Sequence, residues 1–143
     1  MTVRPLRACC VAVAVVAFAL VPLMAPDALA ASPSSTTSAP SAGAVALGAS
    51  VSDTATVSDP STLGVPSGTV SFFVCGPLNS ASGCSTGGTP LGTVSLVQGL
   101  ANAAATSSSF VPNATGTWCF RAEYSGDTNY DPSSCLLYTS PSP

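Results

Sequence analysis

The sequence predicts an all-β sandwich. Three observations point there. Apolar and polar residues alternate with period two over several short segments, turn residues punctuate those segments at close intervals, and no stretch sustains a helical period of 3.6. The strongest alternation sets Trp118-Phe120-Ala122-Tyr124 against Cys119-Arg121-Glu123. It predicts a strand over 117–125 whose first set is buried and whose second set faces outward.

The other elements follow in chain order. Residues 45–57 read as a strand, although Asp53 shares a face with Val51 and Ala55, so a bulge or break is expected beside it. Val70-Phe72-Val74 against Thr69-Ser71-Phe73 predicts a strand over 69–75, and Val94-Leu96 against Thr93-Ser95 predicts one over 92–98. Ala101 to Ala105 invites a helical reading, but Gly99 and the Ser107-Ser108-Ser109 run favour a strand over 100–110. Turn residues separate them at Asp59-Pro60, Pro66-Ser67-Gly68, Gly76-Pro77, Gly87-Gly88, Pro112-Asn113 and Ser125-Gly126-Asp127.

Composition bounds the chemistry. Charged residues make up 6% of the 143 residues, against about 25% in an ordinary soluble domain. Histidine and lysine are absent, and the cations are Arg4, Arg7 and Arg121. No imidazole base, Schiff-base lysine, lysine phosphate loop or histidine-ligated metal is therefore available. Nor does the chain carry a basic surface for nucleic acid. Serine and threonine are plentiful, but a hydroxyl needs an adjacent base to become a nucleophile. No catalytic residue and no cofactor is expected.

Residues 1–30 have the form of a secretory signal peptide: Arg4 and Arg7, an apolar run from Ala8 to Met24, and Ala28-Leu29-Ala30 as the cleavage site before Ala31. The expected mature chain is secreted or displayed at the cell surface and has no membrane span. It carries Arg121 against Asp53, Asp59, Glu123, Asp127 and Asp131, a net charge of −4. Its cysteines are Cys75, Cys84, Cys119 and Cys135, which in an exported protein read as disulfide candidates. Cys75 and Cys84 bracket a Gly/Ser-rich loop, and joining them would stabilise by about 2–3 kcal/mol in the chain-entropy model.

Three further segments follow the signal. Residues 31–43, rich in Ser, Thr, Pro and Ala, read as a flexible leader, and residues 44–134 as the sandwich domain. Its core is expected to be thin, because large apolar residues are sparse and isoleucine is absent. Residues 135–143, Cys-Leu-Leu-Tyr-Thr-Ser-Pro-Ser-Pro, are what TGT CTC TTA TAC ACA TCT CCG AGC CCA would encode. That DNA resembles the transposon end and adapter of sequencing libraries, so this tail is expected to be an adapter translation.

Asp127-Thr128-Asn129-Tyr130-Asp131 has the spacing of a calcium loop, but Pro132 and Tyr138 stand where an EF-hand needs glycine and a carboxylate. The expectation is a turn whose Asp and Asn bond their own backbone, and no metal. Arg121 and Glu123 read as a solvent-facing polar row. Trp118, Tyr124 and Tyr130 offer either a sugar-stacking platform or core packing, the latter favoured because two of them lie on the inferred core face. Asn113-Ala114-Thr115 fits a glycosylation sequon and reads as a loop.

Gly48-Ala49-Ser50-Val51-Ser52-Asp53-Thr54-Ala55-Thr56-Val57, Gly68-Thr69-Val70-Ser71-Phe72-Phe73 and above all Gly116 to Tyr130, with its Tyr-Ser-Gly-Asp-x-Asn-Tyr turn, resemble a bacterial immunoglobulin-like repeat domain of secreted and surface proteins. The resemblance covers about 44–134. It implies an immunoglobulin-like sandwich in which Cys75 and Cys84 bridge a loop and Cys119 pairs with a cysteine on the final strand. That final segment is missing from the pattern here, so the sandwich is expected to lack its last strand, with Cys135 left as an uncertain partner for Cys119. The function implied is that of a non-catalytic spacer or adhesive module, its partners neighbouring modules or an unknown surface ligand. The alternatives are a carbohydrate- or surface-ligand-binding module and an accessory domain of a larger secreted enzyme.

Overall fold

The computed structural model describes residues 30–59, 61, 63–78 and 84–139. The signal segment up to Leu29 and the last four residues, 140–143, lie outside them. Eight strands follow in order: β1 (Ser35–Pro40), β2 (Asp53–Ser58), β3 (Thr69–Leu78), β4 (Thr89–Ser95), β5 (Val97–Gln98), β6 (Asn102–Thr106), β7 (Thr117–Tyr124) and β8 (Ser133–Thr139). They form two four-stranded antiparallel sheets, β1-β2-β6-β5 and β4-β3-β7-β8. Lettered along the chain as A, B, C, C′, D, E, F and G, this is A-B-E-D facing C′-C-F-G, the strand order of an immunoglobulin-type sandwich.

Alternation places the core as the sequence predicts. Ala55, Val57 and Ala105 from the first sheet meet Val70, Phe72, Ala122 and Tyr124 from the second, with Tyr130 closing one end. At the other end Val51, Val74, Trp118 and Phe120 pack together. Phe110 joins them, its ring 4.7 Å from that of Trp118 and 6.4 Å from that of Phe120. The first sheet supplies mostly alanine and valine, so the aromatic rings of the second sheet fill the volume between them.

Three features depart from the sequence reading, and one expected irregularity is present. Residues 31–43 are not a free leader, because Ser35–Pro40 forms β1 and pairs with β2 from Ser35↔Ser58 to Pro40↔Asp53. A short, polar edge strand ending in proline needs no large apolar residue, and composition alone resembles a linker. The strand expected over 92–98 is two strands in different sheets, since the chain crosses the sandwich at Leu96 between β4 and β5. The break expected near Asp53 is real: Val51 makes an isolated bridge to Phe110, and β2 starts only at Asp53. Finally, the expected gap at the last strand is filled. Ser133–Thr139 pairs with β7 from Tyr124↔Ser133 to Trp118↔Thr139, because its alternating Cys135, Leu137 and Ser134, Leu136 satisfy the strand period.

Candidate functional site

The outward face of β3 and β7 holds the densest cluster of chemistry-bearing side chains. On that face Cys75 lies opposite Cys119, and Phe73 opposite Arg121. Cys84 returns to this face and is joined to Cys75 by a disulfide, with their Cα atoms 5.6 Å apart. Together Cys75, Cys84 and Cys119 form a small buried cluster outside the main core, with Leu78 packed against it. Gly88, at φ +94°, permits this approach, since a Cβ there would stand 2.8 Å from the Cys75 Sγ.

Arg121 is the polar centre of the same face. It is only 6% exposed, its Nη1 donates to the Cys84 carbonyl at 2.8 Å, and its guanidinium lies 4.4 Å from the Phe73 ring centre. Its Nε stands 2.8 Å from the Glu123 carboxylate in an ion pair. The expected solvent-facing row is thus corrected at Arg121, while Glu123 is exposed as expected. The alternation is right about which face Arg121 occupies, but the returning Cys84 segment covers that face. Parity carried the missing signal, because Phe73, Cys75 and Cys119 on one nominally wet face already make it too apolar to be left open.

A second constellation joins two turns. The Asp127 carboxylate accepts from the Ser67 amide at 2.8 Å and the Ser67 hydroxyl at 2.7 Å. It also accepts from the amides of Asn129 at 2.8 Å and Tyr130 at 3.0 Å. Burial works to raise its pKa, yet these hydrogen bonds outweigh burial and hold it below 3.8. The acceptor capacity that a calcium ion would use is spent on the turn. Nearby, burial and then the charge of Asp127 push the Tyr124 phenol up to about 12.

A third polar group is inside the sandwich. Asp53 is fully buried, and the Ser38 hydroxyl from β1 lies 2.6 Å from both of its carboxylate oxygens. Ser107 holds its backbone, accepting from the Asp53 amide through the hydroxyl at 3.0 Å and donating its own amide to the Asp53 carbonyl at 2.8 Å. Burial pushes the Asp53 carboxyl above its ordinary 3.8, although Ser38 and the backbone of Thr54 and Ala39 pull the other way. Nothing in the local sequence marks Ser38 or Ser107 for this role, since both partners arrive through strand pairing.

The remaining candidates fall as follows. Trp118, Tyr124 and Tyr130 are 6%, 2% and 1% exposed, so they pack the core and present no stacking platform. The Trp118 indole donates to the Ala114 carbonyl at 3.3 Å, and Asn113 and Thr115 of the sequon are exposed. The Cys119–Cys135 pairing is corrected by register. Cys135 lies opposite Ala122 while Tyr138 lies opposite Cys119, so the two cysteines occupy opposite faces of the sheet and cannot meet. Two shallow depressions, of about 310 Å³ beside Glu123 and Tyr124 and about 270 Å³ beside Asp59 and Ser61, each offer one carboxylate, where paired-carboxylate hydrolysis needs two. Among the described residues no helix is long and apolar enough to cross a membrane. The chain matches no protein-family model, no curated protein and no solved structure.

Proposed function

We propose that this chain is a non-catalytic, immunoglobulin-like module of an exported bacterial protein, acting as a structural spacer or adhesive element. One observation carries the reading: the polar groups in unusual environments are spent on holding the fold. Asp127 staples two turns, Asp53 and Ser38 fasten β1, and Arg121 anchors the disulfide-bonded Cys84. The surface left over is rich in hydroxyls, with cross-strand pairs such as Thr54–Thr106 and Ser71–Thr93 at 2.9 Å. Such a surface suits a soluble connector. The burial of Trp118, Tyr124 and Tyr130 supports this reading over carbohydrate binding.

The test places the mature chain between a cell-surface anchor and an epitope, and measures antibody access to the epitope alongside binding to a polysaccharide panel. Access should rise with each inserted copy while no polysaccharide binds saturably. Saturable binding to one glycan class would overturn the spacer reading in favour of a binding module.

A further inference from the structure

The three sulfurs on the outer face of the second sheet have more than one way to pair. Cys75 and Cys84 are joined, nine residues apart in sequence. Cys75 also lies directly opposite Cys119 across β3 and β7. Directly opposed residues of an antiparallel pair have Cα atoms about 4.5–5.5 Å apart, inside the span of about 4.4–6.8 Å that a disulfide bridges. The Cys84 Sγ stands 3.6 Å from the Cys119 carbonyl oxygen, and all three residues are buried in one cluster. The Cys119 side chain there is a thiol, donating to the Phe120 carbonyl at 3.5 Å. A disulfide with a thiol packed against it is the arrangement that thiol–disulfide exchange requires.

The surroundings favour one direction of exchange. The Arg121 Nη1 donates to the Cys84 carbonyl at 2.8 Å. This sets a positive charge near the Cys84 sulfur, and a neighbouring cation stabilises a thiolate. Glu123 meets the same guanidinium at Nε from a half-exposed position. A Cys75–Cys119 bond would also close a far longer loop than the present one, and so constrain the unfolded chain more. Cys84 is fully buried while it is joined to Cys75, yet the chain from Ser85 to Gly88 that follows it is exposed. All three cysteines lie within 44–134. Cys135, in the tail, is on the opposite face of the sheet.

We infer that Cys75, Cys84 and Cys119 form a thiol–disulfide relay that presents Cys84 as the attachment point for an external disulfide. The Cys119 thiol gives up its proton, and its sulfur attacks the Cys75 Sγ. The Cys75–Cys119 bond forms, the Cys75–Cys84 bond breaks, and the electron pair leaves on Cys84 as a thiolate. That thiolate attacks one sulfur of the external disulfide, forming a mixed disulfide at Cys84 and releasing the other sulfur, which takes the proton. Each step exchanges one disulfide for another, so no oxidant is needed beyond the external disulfide itself. The relay concerns the domain's own cysteine chemistry and is independent of the spacer reading.

The test uses the mature chain in a Cys135→Ser background, which removes the thiol of the tail. The folded protein is incubated with glutathione disulfide in mildly alkaline buffer, quenched in acid and mapped as peptides without reduction. Glutathione should be found on Cys84, together with a Cys75–Cys119 disulfide. A second measurement needs no added disulfide: the folded protein is held in the same buffer, quenched, unfolded in acid and alkylated. The alkyl label should divide between Cys84 and Cys119, showing that both pairings are populated. Glutathione on Cys119 with the Cys75–Cys84 bond intact overturns the inference, because the external disulfide would then react without the relay. So does a label confined to Cys119 with no glutathione taken up at Cys84.

Discussion

Arg121 binds the backbone of Cys84 from across the outer face of the second sheet, its Nη1 donating to the Cys84 carbonyl at 2.8 Å. The bond is buried and charge-assisted, and the same guanidinium lies over the Phe73 ring. Removing it leaves the Cys84 carbonyl without its donor and opens a gap beside Phe73.

Arg121→Ala should therefore destabilise the domain by about 1.5–3 kcal/mol, the range for a hydrogen bond to a charged group. Arg121→Lys should recover only part of this, because an ammonium does not lie flat over the ring while reaching the carbonyl. Denaturant melts of the three proteins check it. A change below about 0.5 kcal/mol for Arg121→Ala, the level of an ordinary surface substitution, would mean that the guanidinium is not engaged.

Cys75 and Cys84 close a short loop, nine residues apart in sequence. Replacing both by serine should cost about 2–3 kcal/mol through the entropy returned to the unfolded chain. Because Arg121 and the disulfide hold the same segment, the two losses should not add. Once the loop is open, ordering Cys84 for Arg121 costs more, so Arg121→Ala should cost less in the serine background. A double-mutant cycle measures this coupling, and strict additivity would show that the two contacts act separately.

Which side chains face the core was legible in the sequence, because strand parity depends only on alternation. Trp118, Phe120, Ala122 and Tyr124 are all buried as that parity requires. Sheet membership was not legible, since residues 92–98 read as one strand and alternation says nothing about a crossing at Leu96. β1 was hidden for another reason: its stability comes from pairing with β2 and from the hydroxyls of Ser34, Thr36 and Ser38, none of which leaves an apolar trace. The burial of Arg121 lay between these cases, visible in the apolar company on its face and missed when each residue was read alone.

Asp127→Ala should loosen the junction of the two turns, costing about 1–2 kcal/mol at neutral pH for the lost hydrogen bonds. The sign with pH follows from its lowered pKa. The folded state holds the carboxylate ionised below 3.8, so its stabilisation is present above 3.8 and is lost as pH falls through the folded value. The parent and Asp127→Ala should therefore converge in stability in strong acid. A gap between them that stays constant down to that range would assign the effect to packing and not to the carboxylate.

Cleavage before Ala31 would leave Ser32 and all of β1 in the mature chain, so mass spectrometry of exported protein should find Ala31 at its N-terminus. Trimming further has a structural cost. Deleting 31–43 removes β1, the Ser32 bridge to Tyr130 and the Ser38 hydroxyl from Asp53. The melting temperature should fall by more than about 5 °C, since 1 kcal/mol corresponds to roughly 4–8 °C in a domain of this size. An unchanged melting temperature would show that β1 contributes nothing to the sheet.

Asp53 predicts a pH dependence of opposite sign to that of Asp127. Its carboxyl is buried, and Ser38 and the backbone of Thr54 and Ala39 compensate burial only in part, leaving the folded pKa above 3.8. In the window from 3.8 up to that value the folded state keeps a proton the unfolded chain has released, so stability falls as pH rises through it. The favourable contribution is fully present below 3.8 and gone once pH exceeds the folded value. The chain has no histidine, so no imidazole titration adds to the profile. Stability measured by denaturant melts from pH 4 to pH 7 should therefore decline in the parent, and the decline should be absent in Asp53→Asn, whose amide does not titrate. Deleting β1 should also alter the slope, because it removes Ser38 and admits water to the carboxylate. A parent and an Asp53→Asn variant with the same slope would show that Asp53 is ionised at no extra cost, and that its burial is compensated by groups other than Ser38.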